Sequence, residues 1–252
     1  MEGTIKDRLN RINSSAKNDD ELYDIFNSIK EKVLPLIVIY IDAGASILRQ
    51  RPNKSGQEYK TVSSISYPPK AESYGRANIP GHPMFYGCSF PMDSKAIEPR
   101  IITLMESSDF ATDINSIGVE RLTCGRWDVN KKLELLAFPF FDNYDHPIKD
   151  IIKIQEDWND AIKNADIEKD ALDIVEYMSY EISKEAPKEE DYYIIANFVY
   201  FLLYLNDSTK KFDGIIFPSV PAGGEGFNVA LKPESVDKKL RGPIAWFDTS
   251  FV

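Results

Sequence analysis

Apolar and polar positions change period several times along the chain, and each change predicts an element. Between residues 4 and 33, apolar side chains recur every three or four positions (Ile5, Leu9, Ile12, then Leu22, Ile25, Ile29, Val33). That spacing belongs to helices with one buried face. "NDDELYDIF" supplies Asn or Asp at a helix start with acids in the first turn, so two helices are expected, ending at Pro35. "LIVIYI" (36–41) and "ASILRQR" (45–51) read as short strands around the turn "DAGA". A polar, proline-rich region covers 52–82, and "PMFYGCS" (83–89) reads as a buried strand. "SKAIEPRIITLMES" (94–107) predicts a helix from Pro99, because proline suits the first helical position. "INSIGVERLTC" and "KKLELLAFPFF" read as strands meeting around "GRWDVN" (125–130). Three helical stretches follow over roughly 148–207. Strands return in "FDGIIFPSV" (212–220), "FNVALKP" (227–233) and "PIAWFDTSF" (243–251).

This order predicts one α+β domain over 36–252, with an N-terminal helical extension over 1–35 and a helical insertion at about 148–207. The longest apolar run, "YYIIANFVYFLLYL", is shorter than the ~20 residues of a membrane span and contains Asn197, so a buried helix is expected and no membrane partner. The charged N-terminus has no apolar segment of a secretory signal, which makes the cytoplasm the expected compartment. A formal net charge of -10 argues against a nucleic-acid surface but leaves room for a local basic pocket. Cys88 and Cys124 are too few for a disulfide framework, and with His82 and His146 they make no metal-ligand spacing. No metal is expected. G-x-S-x-G, H-E-x-x-H, phosphate-loop and G-x-G-x-x-G patterns are all absent, and "PAGGEGFN" (221–228) lacks the lysine of a phosphate loop.

The chemistry-bearing residues gather near strand ends and turns, where binding groups usually collect. Arg49 ends "SILR", Arg76 and Asn78 sit in a glycine-framed turn, and Tyr86 lies on the strand after it. Glu98 stands at a helix start, and Ser219 ends "GIIFPS". Each has a plainer reading alone: an ion-paired arginine, a turn-forming asparagine, a core tyrosine, a helix-start acid, a strand-end hydroxyl. Together, two arginines, a carboxylate, a hydroxyl and a ring suit an anionic dinucleotide, since guanidinium groups hold a diphosphate bidentately.

"ILRQR", "YGRANIPGHPMFYG", "AIE", "GIIFPSV" and "GFNVAL" resemble, in this order, the core of the RES domain family, named for an Arg, a Glu and a Ser. The resemblance covers about residues 36–106 and 212–232. It implies a fold like that of ADP-ribosyltransferases and an enzyme that degrades NAD+ as its substrate, as do the toxins of RES–Xre toxin–antitoxin modules. Under it, Glu98, Arg49 and Ser219 are catalytic, while Arg76, Tyr86 and Asn78 bind substrate. Glu98 would stabilise a ribosyl cation, the arginines would hold the diphosphate, Ser219 would hydrogen-bond the ribose or the attacking group, and Tyr86 would stack on nicotinamide. An Xre-like antitoxin is the implied protein partner. Transfer of ADP-ribose to a protein, and a catalytically silent binding module, are the alternatives. This chain departs from the family pattern in Pro99, directly after Glu98, and in the long helical segment before Ser219. Proline biases the residue before it away from helical geometry.

Overall fold

The computed structural model describes residues 3–14, 17–53, 57–89, 97–108, 111, 115, 117–139, 144 and 148–251, with the backbone alone at 13–14 and 245–251. His146 and the 94–96 start of the expected helix lie outside the described residues. The described chain is mixed α and β. The two N-terminal helices are α1 (Ile5–Ser14) and α2 (Asp19–Ser28). Asn18 caps α2, its side-chain oxygen accepting the Glu21 N–H at 3.1 Å. The stripe predicted to reach Val33 stops earlier, at Ile29, and Val33 is 76% exposed.

Eight strands form one sheet in the order β1-β5-β6-β7-β3-β2-β4-β8. They are β1 (Ile37–Ile41), β2 (Ser46–Pro52), β3 (Phe85–Ser89), β4 (Glu120–Val129), β5 (Leu133–Ala137), β6 (Gly214–Pro218), β7 (Phe227–Leu231) and β8 (Leu240–Phe251). Every neighbouring pair is antiparallel except β5 and β6. Parallel neighbours need a crossover. The helical stretch at 148–207 is that crossover, made of α5 (Lys149–Asn164), α6 (Lys169–Ser183), α7 (Tyr193–Tyr200) and a π-helical turn (Phe201–Leu205). A 3-10 turn (Glu189–Tyr192) before α7, two short helices, α3 (Val62–Ile65) and α8 (Pro233–Lys239), and α4 (Pro99–Ser107) complete the described elements. Among the described residues no helix is long and apolar enough to cross a membrane.

Two expectations are corrected. "GRWDVN" is not a turn, because Trp127 and Val129 are buried and alternate with the exposed Arg126, so β4 continues to Val129, paired with both β2 and β8. The stretch after "FNVAL" turns helical at Pro233, again with proline in the first turn, and β8 begins at Leu240 rather than at Pro243. The main core joins the sheet to the crossover and to α1 and α2, whose Leu9, Leu22, Ile25 and Phe26 are fully buried in it.

Candidate functional site

The site begins with a split in the sheet. β2 and β3 pair over two positions, Ile47 with Ser89 and Leu48 with Cys88. Beyond them β2 continues on β4 to Pro52, and β3 continues on β7 to Phe85. The wedge between the two wings holds a cavity of about 270 Å³. Arg49 and Gln50 line it from β2, Tyr86 and Gly87 from β3, Asn228 from β7, Thr103 and Glu106 from α4, with Arg76 and Tyr192 at its other side. Gly87 makes the junction, since a Cβ there would lie 2.6 Å from Ile47 Cγ2 and 2.8 Å from the Leu48 carbonyl oxygen.

Arg49 bridges the split. Its Nε donates to Ile65 O at 2.9 Å, and one terminal nitrogen donates to Tyr86 O at 2.6 Å, a β3 carbonyl beyond the end of the β2 ladder. Burial, and then the neighbouring Arg51 charge, push its pKa down to about 10, so it stays a cation near neutrality. Arg76 donates to Ile182 O at 2.7 Å and Lys184 O at 3.0 Å, both at the C-terminal end of α6, and to the Tyr192 hydroxyl at 3.3 Å. Its guanidinium lies 5.0 Å from the Tyr192 ring centroid. Among the described residues neither arginine has a carboxylate partner within ion-pair distance, in a chain with 40 acids. Two such cations lining one cavity make a site for an anion.

The glycine-framed turn is now explained. Gly75 and Asn78 bond each other's backbone, and a Cβ on Gly75 would lie 2.4 Å from the Asn78 side-chain oxygen. That oxygen accepts the Tyr86 hydroxyl at 2.8 Å, while Tyr86 itself accepts the Ala77 N–H at 2.9 Å. Asn78 Nδ2 donates to Ser73 O at 3.0 Å. Asn78 is thus a clasp behind the cavity and does not line it, whereas Tyr86 lines it with a committed hydroxyl whose pKa is pushed upward by burial. The turn exists to hold Arg76 and Tyr86 in place.

The carboxylate of the cavity is Glu106, not Glu98. Pro99 keeps Glu98 out of the helix, at φ -59° and ψ 133°, where it caps nothing with its side chain. Glu98 is half exposed, accepts from Arg100 Nε at 2.6 Å and does not line the cavity. Glu106 lies two turns further along α4, on the face that packs over β2 and β3. Its Oε1 accepts from Ser219 Oγ at 2.6 Å and from Asn228 Nδ2 at 2.7 Å. Its Oε2 has no hydrogen-bond partner among the described residues.

Ser219 is fully buried and stands behind Glu106. It is gripped by the "PAGGEG" loop, which returns through Gly223 (φ 58°) and Gly224 (φ 81°) so that Ser219 N donates to Gly226 O and Gly224 N to Ser219 O. Tyr144, its ring against Gly224, is pushed up to about 12 by burial, and its charge state responds to both Arg76 and Glu106. Of the six residues picked from sequence, Arg49, Arg76 and Tyr86 line one cavity, Ser219 and Asn78 support it, and Glu98 stands apart. Glu106, Asn228, Gln50 and Tyr192 were missed. Asn228 lies inside the "GFNVAL" block and Gln50 inside "ILRQR", the two signals that point to any of them. Compared with protein-family models, curated proteins and solved structures, the chain matches none.

Proposed function

We propose that this chain cleaves the nicotinamide–ribose bond of NAD+, with Glu106 as the carboxylate beside the reacting carbon. The observation that carries the reading is one cavity holding two arginines with no carboxylate partner among the described residues and a carboxylate fixed by Ser219 and Asn228. Its position in a split between two wings of a sheet fits an ADP-ribosyltransferase-like fold, and the sequence blocks that resemble those of the RES family add to it.

In that reaction the C–N bond to the base breaks and its electron pair passes to the pyridinium nitrogen. Nicotinamide leaves neutral, and the sugar becomes an oxocarbenium-like cation. Glu106 Oε2 stabilises that cation, as carboxylates do in glycoside cleavage. Ser219 and Asn228 act through Glu106 by holding Oε1, so they are positioning residues. Arg76 and the free face of Arg49 hold the diphosphate, and the Tyr192 and Tyr86 rings flank the base. Water, or another nucleophile, adds to the sugar carbon and loses its proton.

Purified chain incubated with NAD+ should release free nicotinamide, followed by chromatography. Glu106→Gln should lower turnover by about a hundredfold or more, because the charge acts on the transition state. Glu98→Gln should remain within about twofold of the parent. The opposite pattern would return the role to Glu98, and no nicotinamide release from the parent would end the proposal. Label transferred to a protein, rather than free ADP-ribose, would favour the transferase form. Growth arrest on expression with falling NAD+, relieved by an Xre-like protein, is the expected behaviour of a cytoplasmic toxin.

A further inference from the structure

Gln50 is nine-tenths buried, with 9% of its surface exposed, and it lines the cavity. Its amide nitrogen donates to Arg100 O at 3.3 Å, and the side chain also hydrogen-bonds the Cys124 thiol across the β2–β4 pair. The reverse orientation of the amide would set two oxygens 3.3 Å apart, so the Arg100 contact fixes the nitrogen on the α4 side. The oxygen Oε1 is then buried with no hydrogen-bond partner. Buried acceptors are rarely left so, and an orphan acceptor on a side chain that lines a cavity marks a place where a donor belongs.

We infer that Gln50 Oε1 is the specificity contact for the leaving base, accepting an N–H from its carboxamide. This rests on the glycosidic reading above and goes further by naming the part of the substrate that is read. The two arginines are taken up by the diphosphate and Glu106 by the sugar carbon, so none of the three reads the substituent on the pyridine ring. Gln50 does. An amide offers it a hydrogen, whereas a carboxylate offers a second acceptor and is repelled. A site built to accept a hydrogen bond rejects an analogue lacking the donor because the buried acceptor stays unpaired.

The test compares NAD+ with its nicotinic acid analogue, which carries a carboxylate in place of the carboxamide. The parent chain should favour NAD+ by about tenfold to a hundredfold in kcat/KM. Gln50→Met should bring that ratio to within about threefold, through loss on NAD+ alone. Its melting temperature should change little, because the variant removes an unsatisfied acceptor together with one of two donors to Arg100 O, the Thr103 hydroxyl at 3.1 Å remaining. Equal loss on both substrates, or no loss on NAD+, would overturn the assignment. So would a parent that treats the two alike, a result that needs no variant. A parent that consumes neither removes the glycosidic reading and this inference with it.

Discussion

Arg76 has two tasks that a single substitution can separate. Three of its contacts are structural, tying the glycine-framed turn to the end of α6 and to Tyr192, while its charge faces the cavity. Arg76→Met keeps much of the length and removes the cation. It should raise KM for NAD+ at least tenfold with a smaller effect on kcat, because diphosphate binding is felt in ground and transition states alike. It should also cost about 1–3 kcal/mol of stability, since two carbonyls lose their donor. Steady-state kinetics beside urea unfolding measures both, and an unchanged KM with lowered stability would leave Arg76 a purely structural tie. At this scale the sequence showed arginines and a tyrosine framed by glycines, because turn chemistry is local. It did not show Glu106, which reads as one more polar residue on the amphipathic helix "PRIITLMES". Its hydrogen-bond partners lie 113 and 122 positions away, a distance across which no pattern in one chain reports.

Among the elements, the clearest misreading was α8, and Asp213 explains how so short a helix is held. Asp213 is buried, with 4% of its surface exposed, just before β6. One carboxylate oxygen accepts from Ser235 Oγ at 2.8 Å, and the other accepts from the Glu134 N–H at 2.8 Å and from Lys239 Nζ at 2.6 Å. One side chain therefore fastens both ends of α8 to the start of β5 and β6. "PESVDKK" has little apolar periodicity over its seven residues, so its helix depends on that tertiary contact more than on its own pattern. β4 shows the converse: its alternation through Trp127 and Val129 was present in the sequence but was hidden by the glycine in "GRWDVN". Asp213→Ala should lower unfolding free energy by about 3 kcal/mol, as loss of a buried hydrogen-bonded charge does. Chemical denaturation checks this, and a loss under about 1 kcal/mol would show that α8 is held by other means.

For the whole molecule, the question is whether the N-terminal helices are an attachment or part of the body. Periodicity located them well but could not say what they pack against. Ile5, Leu9, Ile12, Leu22, Ile25, Phe26 and Ile29 are all buried in the same core as the sheet and the crossover. Phe26 meets Phe198 and Phe201 with ring centroids 5.3 Å apart in each case. Tyr23 donates to Asn197 on α7 at 3.0 Å, Tyr193 bonds Asp19, and Lys6 pairs with Glu176 on α6 at 2.6 Å. The helices thus hold α6 and α7, which in turn present the Ile182 and Lys184 carbonyls and Tyr192 to Arg76. Seven buried apolar side chains at about 1.5–3 kcal/mol each amount to roughly 10–20 kcal/mol, comparable with the 5–15 kcal/mol net stability of a typical protein. A chain lacking residues 1–35 should therefore lose its cooperative thermal transition and near-ultraviolet circular dichroism, and NAD+ consumption should be lost with them. A truncated chain that still melts sharply, within a few degrees of the parent, would show the helices to be an attachment and would uncouple them from Arg76.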